Sequence, residues 1–364
     1  MKLNDNEIKV LAILEEDPYI NQKNIADKMN LSRPAVANLI SGLQTKGYIL
    51  GKPYVLRKKE YVTCVGGANV DYTFNLEDQM IMGTSNPVSK SISYGGVIRN
   101  IAENLARLNQ RVSLMSLVGK DTVGENLLKD NKKLMEVFAT DTLDNQPTGS
   151  YYSIIDKHGN MSVGFADMSI NDLMDRTWIL EHRKHLILSS WIIADTNIKK
   201  SGLEALVEYA NNEDKNLCIV GVSGPKMRNM PDEIVGVNLI ITNLDESQTY
   251  FNSNTDDLFS LAKLWLDKGV ERIVITEGKK GFVYGNKSFL KHQEAFIVEE
   301  KDIIDVTGAG DAFSAATIYG IINNLKFEEA VKLGAINSSL TIKQNHAVNP
   351  NLSINLLKKE LKKQ

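Results

Sequence analysis

From Tyr61 onward, short β-rich runs alternate with helical stretches, and this rhythm constrains the fold more than any other feature of the chain. The runs are Tyr61 to Val65, Val112 to Val118, Leu186 to Leu188, Leu217 to Val222, Leu239 to Thr242 and Arg272 to Thr276, with helical spacing across Ile101 to Leu108 and Leu258 to Leu266. Nearly continuous apolar strands separated by helices predict a mostly parallel sheet covered on both faces. Ligands of such sheets collect at the carboxyl ends of the strands. Two segments, about 72–94 and 149–165, break the rhythm with short polar/apolar alternations, which read either as small antiparallel strands or as surface loops.

With 364 residues, the chain is long enough for one large α/β domain and a small one. Hydrophobic residues make up 43% and charged residues 24%, as in ordinary soluble globular proteins. The net charge of -3 excludes a global attraction to nucleic acid, but its distribution is uneven. Residues 1–60 carry 10 Lys or Arg against 7 acids, which leaves -6 on the remainder. Cys64 and Cys218 are far apart and lack metal-ligand spacing, so they read as buried thiols in a reducing compartment. The opening residues lack the apolar run of a signal peptide, and no stretch approaches the roughly 20 apolar residues of a membrane span. The expected location is cytoplasmic.

Residues 5–57 read as a helix, a helix-turn-helix pair and a hairpin. Ile8, Leu11, Ala12 and Leu14 give one apolar face, and Ile25, Ala26 and Met29 a second. After the turn at Asn30-Leu31, Ser32 is the expected N-cap and Pro34 sits in the first turn of a helix bearing Val36, Leu39, Ile40 and Leu43. Gly47 to Leu50 and Tyr54 to Leu56 would be the strands of a wing. The segment resembles the winged helix-turn-helix of bacterial transcription regulators. That resemblance implies a third helix in the DNA major groove, with Arg33, Asn38, Gln44, Lys46 and Lys52 near bases or phosphates; the alternative is a three-helix dimerisation module. Arg57 to Glu60 is a charged connector, and the domain boundary is expected near residue 58, giving 1–57 and 58–364.

The chemistry concentrates in Asp305-Val306-Thr307-Gly308-Ala309-Gly310-Asp311, which runs into the small apolar stretch Ala312 to Ala316. Glycines around an alanine let backbone amides converge at a helix start, where an anion binds. Asp311 would repel that anion unless it takes a proton from a hydroxyl attacking it. The plain alternative is a capping aspartate on a tight turn. Upstream, Asn69 and Asp71 stand two apart on an extended chain and project the same way, which suits adjacent hydroxyls. Asn243-Leu244-Asp245-Glu246 follows a buried strand and reads as hard oxygen ligands or as acids at a helix start.

These motifs, in order, resemble the ribokinase-like (PfkB) carbohydrate kinases over residues 61 to about 355. The resemblance implies a three-layer α/β/α sandwich with a small β lid formed by the two irregular segments and often shared across a homodimer. It implies that Asp311 is the base, that the Gly308, Ala309 and Gly310 amides form the anion hole, and that Asn69, Asp71, Gly95, Gly96 and Asn100 hold the acceptor. The motif around Gly96 departs from the family at Ile98, where glycine is usual. Thr276, Gly278 and Gly281, with Lys279 or Lys280, would approach ATP, as would Asn243, Ser338 and Asn349, while Ser223 is a weak nucleotide contact. Glu246 would organise Mg²⁺ through water, and Asp305 and Thr307 would line a K⁺ site. Within the family, Ser85-Asn86-Pro87, Ala166-Asp167-Met168 and Asn349 to Ser353 look most like pseudouridine kinases, which implies that Asp167 and Tyr151 read the uracil edge. Other expectations left open are another nucleoside or sugar kinase, or a regulator that senses its ligand through a kinase-like domain.

Overall fold

The computed structural model describes residues 3–17, 19–51 and 61–362. They divide into two units, one holding the front residues with His182–Ser189, the other holding Tyr61–Glu181 and everything from Ser190 onward.

The front unit contains α1 (Asp5–Glu16), α2 (Gln22–Met29) and α3 (Arg33–Thr45). Each begins on a polar cap: Asn4 Oδ1 accepts the Glu7 amide, Asn21 Oδ1 the Asn24 amide, and Ser32 Oγ the Ala35 amide. Asn30, left-handed at φ 54°, turns the chain between α2 and α3. Val10, Leu14, Ile25, Val36, Ile40 and Leu43 form the core. The face of α1 is rotated from the expected one, because Val10 and Leu14 point inward while Ile8 is 52% exposed. Glu7 sets this rotation: it is buried on the same stripe, and both its carboxylate oxygens accept from Lys46 Nζ, at 2.7 and 2.8 Å. Ile49, in the expected first wing strand, carries a β-bridge. Tyr54 to Leu56, Lys52 and the expected boundary near residue 58 lie outside the described residues.

In the larger unit the chain forms β1 (Tyr61–Val65), β2 (Asn69–Leu76), β3 (Val88–Gly95), α4 (Val97–Arg107), β4 (Val112–Met115), β5 (Leu117–Gly119) and α5 (Thr122–Asn131). There follow β6 (Asp141–Leu143), β7 (Ser150–Ile155), β8 (Met161–Asp167), α6 (Arg176–Leu186), β9 (Ser189–Asp195), α7 (Lys200–Asn212) and β10 (Asn216–Val220). The rest is β11 (Leu239–Asn243), α8 (Leu244–Phe251), α9 (Leu258–Asp267), β12 (Arg272–Thr276), β13 (Phe282–Asn286), β14 (Phe289–Gln293), α10 (Ala309–Ile322), α11 (Phe327–Thr341) and α12 (Ile354–Leu361).

The main sheet has the order β14-β13-β12-β11-β10-β9-β1-β4. Its ladders β1–β4, β9–β10, β10–β11 and β11–β12 are parallel, and β13 and β14 close one edge antiparallel. Ile273, Val274 and Ile275 of β12 are all fully buried, so both faces of the sheet are covered. Val274 clusters with Ile101 of α4, Phe313 of α10 and Val331 of α11. The helices α7, α8 and α9 pack against β10, β11 and β12. This is the ribokinase-like α/β architecture, with helices covering the sheet.

Three expectations change in detail. The strand read at Leu186 to Leu188 starts later, at Ser189, because polar Ser189-Ser190 interrupted an apolar run that the sheet nevertheless pairs through to Asp195. Val112 to Val118 splits in two, since β5 leaves the main sheet to pair with β6. The irregular segments do form a separate sheet, β3-β2-β7-β8, but its central ladder β2–β7 is parallel rather than antiparallel. Cys64 and Cys218 are buried free thiols. Among the described residues, no helix is long and apolar enough to cross a membrane.

Candidate active site

The start of α10 carries the glycine turn expected to hold an anion. Its N-cap Gly308 is left-handed at φ 78°, and no side chain caps the helix. A Cβ on Gly308 would stand 2.1 Å from the Ala347 carbonyl oxygen, so only glycine fits. The first amides of a helix have no acceptor within it, but Ala309 donates to the Val306 carbonyl at 3.2 Å. The expected trio of amides therefore loses its middle member, and Gly308 and Gly310 remain.

Asp311, in the first turn of α10, is not a cap. Its Oδ2 accepts from Asn100 Nδ2 at 2.8 Å, a bond that joins residues 211 positions apart. Burial pushes its pKa up to about 7; Asn100 counters the rise, and the charges of Asp195 and Asp71 reinforce it. Asn100 is placed by α4, whose N-cap Gly96 has φ 98° and could not carry a Cβ, because the Gly67 carbonyl oxygen lies 2.4 Å from that position. Asp71 is raised to about 6 by burial, against the Asn69 hydrogen bond at 2.6 Å and the Arg99 charge. Gly95 lies beside this pair, opposite Asn69 in the β2–β3 ladder. Ile98 is fully buried in the core.

Two cavities meet here. A cavity of about 580 Å³ is lined by Thr276, Gly278, Lys279, Gly281, Ser338 and Gly310, with apolar walls from Phe296, Ile297 and Phe313. A recess of about 150 Å³ is lined by Gly221, Asn243, Glu246, Thr276, Gly310 and Asp311. Thr276 and Gly310 line both, so the two cavities flank the same turn, with Asp311 on the side of the recess. Lys279 lines the larger cavity, whereas Lys280 pairs with Glu277. Asn243 and Glu246 form a reciprocal cap on α8, and burial raises Glu246 to about 7, helped by Asp245 and Asp311.

Other expected residues fall elsewhere. Asp167 pairs with Ser150, whereas Tyr151 pairs with Asp71 and Ala166. With a side-chain period of two, Asp167 is on the opposite lid face from Asp71 and Tyr151. Its expected partnership with Tyr151 at a uracil edge is thereby lost. Asn349 is buried, accepts the Asn351 amide at 2.9 Å and does not line the larger cavity. Asn337 also turns inward, donating to Asn104 Oδ1 and the Ala312 carbonyl. Ser223 lines neither cavity. The Asp305 carboxylate accepts the Thr307 amide at 2.8 Å. In the front unit Arg33, Asn38 and Gln44 are exposed on α3, but Lys46 is engaged by Glu7. Asp195, which reading the sequence missed, is fully buried at the carboxyl end of β9. Its position at a strand end was the available signal, obscured by the misplaced start of that strand.

The sequence matches the pfkB family carbohydrate kinase model over residues 59–354, and a winged helix-turn-helix DNA-binding model over residues 3–49. The pseudouridine kinase of Escherichia coli (strain K12) is 30% identical over 303 residues, covering 82% of this chain and 96% of that protein. The uncharacterized sugar kinase YeiI of the same organism is 26% identical over 357 residues, covering 96% of this chain and 97% of its own, front unit included. The carbohydrate kinase from Agrobacterium tumefaciens is 25% identical and superposes with a TM-score of 0.73, covering 83% of this chain and 97% of that one. An aspartate raised toward neutrality beside an anion-holding turn suits phosphoryl transfer to a hydroxyl, and with a family match spanning nearly all of the larger unit, the chain belongs to the pfkB family of carbohydrate kinases.

Proposed function

We propose that the protein transfers the γ-phosphoryl group of ATP to the ribose 5′-hydroxyl of pseudouridine, giving pseudouridine 5′-phosphate and ADP. The observation that carries this reading is Asp311, near neutral in pKa, held by Asn100 and lining the recess beside the larger cavity. The acceptor lies against Asn69, Asp71, Gly96 and Asn100. Asp311 removes the hydroxyl proton as that oxygen attacks phosphorus; the bond to the ADP oxygen breaks, and the proton stays on Asp311. The Gly308 and Gly310 amides stabilise charge on the transferring group. Apolar walls and Ser338 take the adenine, while Lys279, Thr276 and Gly278 lie along the phosphates.

Family members use ATP with a divalent metal. Magnesium fits the recess, because the buried Glu246 carboxyl lines it together with Asn243 and Asp311, and Mg²⁺ commonly takes one or two carboxylates plus water and phosphate oxygens. When bound, the ion neutralises phosphate charge; Glu246 would hold it through water, oriented by Asn243. Asp305 and Thr307 are proposed for a neighbouring K⁺.

Pseudouridine is favoured by the 30% identical relative and by the lid. On the lid face shared with Asp71, the ladders align Thr73, Ser91, Ser93, Tyr151 and Ser153, a hydroxyl-rich surface suited to a polar base. The opposite face leaves Val88, Ile92 and Phe165 exposed, which supports a homodimer through the lid; sedimentation of Phe165→Lys as a monomer is the expected outcome. For the front unit, exposed Arg33, Asn38 and Gln44 support binding to double-stranded DNA. Salt-sensitive retention of duplex DNA tests that role. The substrate test is ADP release with ATP, Mg²⁺ and a panel of pseudouridine, uridine, adenosine and ribose. Highest kcat/KM with ribose overturns the nucleoside reading, and highest with uridine or adenosine overturns pseudouridine.

A further inference from the structure

Asp195 is fully buried and stands at the carboxyl end of β9, beside β1 in the sheet. Its Oδ2 accepts from the Gly67 amide at 3.3 Å, the Ile98 amide at 3.2 Å and Asn197 Nδ2 at 3.1 Å; its Oδ1 accepts the Asn197 amide at 3.0 Å. Gly67 lies two residues before Asn69. Ile98 lies in the first turn of α4, two residues before Asn100. One carboxylate oxygen therefore ties the loop that presents Asn69 and Asp71 to the helix start that presents Asn100 and, through it, Asp311.

We infer that Asp195 is a positioning residue for the acceptor site, fixing the β1–β2 loop and the start of α4 at one spacing. A buried carboxylate is costly unless hydrogen-bonded, and here three of the four bonds come from backbone amides. Backbone donors hold main chain in place, so removing the acceptor releases two segments at once. The positive end of α4 compensates part of the charge. Asp195 also faces Asp311 as a like charge, together with Asp71 from β2 and Glu246 from α8, and opposite the Asn100 donor from α4.

The inference rests on the acceptor reading given under Proposed function for Asn69, Asp71 and Asn100. Its test is Asp195→Asn in the full chain, measured with whichever panel acceptor gives the wild type its highest kcat/KM. The amide keeps the shape but leaves at least one of these donors without an acceptor. The expected result is a rise of about tenfold or more in KM for the acceptor, with KM for ATP changed less than about twofold, since small misplacements of a reacting group cost up to about 100-fold. The acid limb of the pH–rate profile also moves to lower pH, because a like charge beside Asp311 is gone; a merely structural defect would not do this. Acceptor binding equal to wild type by calorimetry, with an unmoved acid limb, overturns the positioning role and leaves the kinase reading standing. If wild type binds none of the panel acceptors, the acceptor reading fails first and takes the inference with it. Should Asp195→Asn not fold, Asn197→Ala removes a single donor; a smaller rise confined to acceptor KM supports the role, and equal changes in both KM values, or none, overturn it.

Discussion

As the proposed base, Asp311 is tuned by opposing influences on one carboxylate, with those that raise its pKa prevailing. Burial and the charges of Asp71 and Asp195 raise its pKa to about 7, and the Asn100 hydrogen bond restrains the rise. Since the ionised form is the base, kcat/KM should climb as pH rises through about 7 and then level. Asn100→Ala removes the restraining donor, so the limb should move to higher pH in a pH–rate profile. Asp311→Asn should lower kcat by about 10²–10⁴ while leaving acceptor affinity, measured by calorimetry, within about threefold. Asp311, Asn100 and the glycines were legible in the sequence because a motif is a local pattern. The Asn100–Asp311 bond and the raised pKa were not, because they depend on distances between segments far apart in the chain.

Elements carry the next level of constraint, and small choices of rotation or register redirect whole faces. Helix α1 turns Glu7 inward because Lys46, at the end of α3, neutralises it, and this ion pair links the first and third helices of the front unit. The pairing with Lys46 holds the Glu7 carboxylate below its ordinary range. A lowered folded pKa contributes stability above the unfolded value, lost as pH falls through the folded one. Lys46→Met should therefore speed hydrogen exchange of α1 amides at pH 7 and flatten that exchange's pH dependence in the acid range; unchanged protection would refute the link. In the lid, register did the same work, since pairing Ser150 with Asp167 sends that aspartate away from Asp71. Sequence reading found the helix cap Ser32, whose partner lies three residues away, but lacked the cross-strand register that orients Asp167.

At the scale of the whole molecule, the site is assembled at a cost in stability. Asp71 and Asp195 are raised to about 6, and Asp311 and Glu246 to about 7, from ordinary values of 3.8 and 4.5. Carboxyls with raised pKa bind more protons in the folded state than in the unfolded one, so stability falls as pH rises from about 4 to about 7. Carboxylates held low, such as Asp121, are ionised in both states across the upper part of that window. Calorimetry should find a higher thermal midpoint at pH 5.5 than at pH 7.5, with the difference reduced in Asp195→Asn. The sequence by itself determined the strand and helix rhythm, the order of the motifs, the glycine turn before α10 and the helix starts. Each of these follows from neighbours within a few positions. Only the tertiary structure decided that Asp195 ties the β1–β2 loop to the start of α4, that Lys46 is spent on Glu7, that Asn349 lies away from the larger cavity, and that four carboxyls share one buried neighbourhood. Hydrogen bonding and charge interaction follow distance through space, and that distance exists only once the sheet has brought remote segments together.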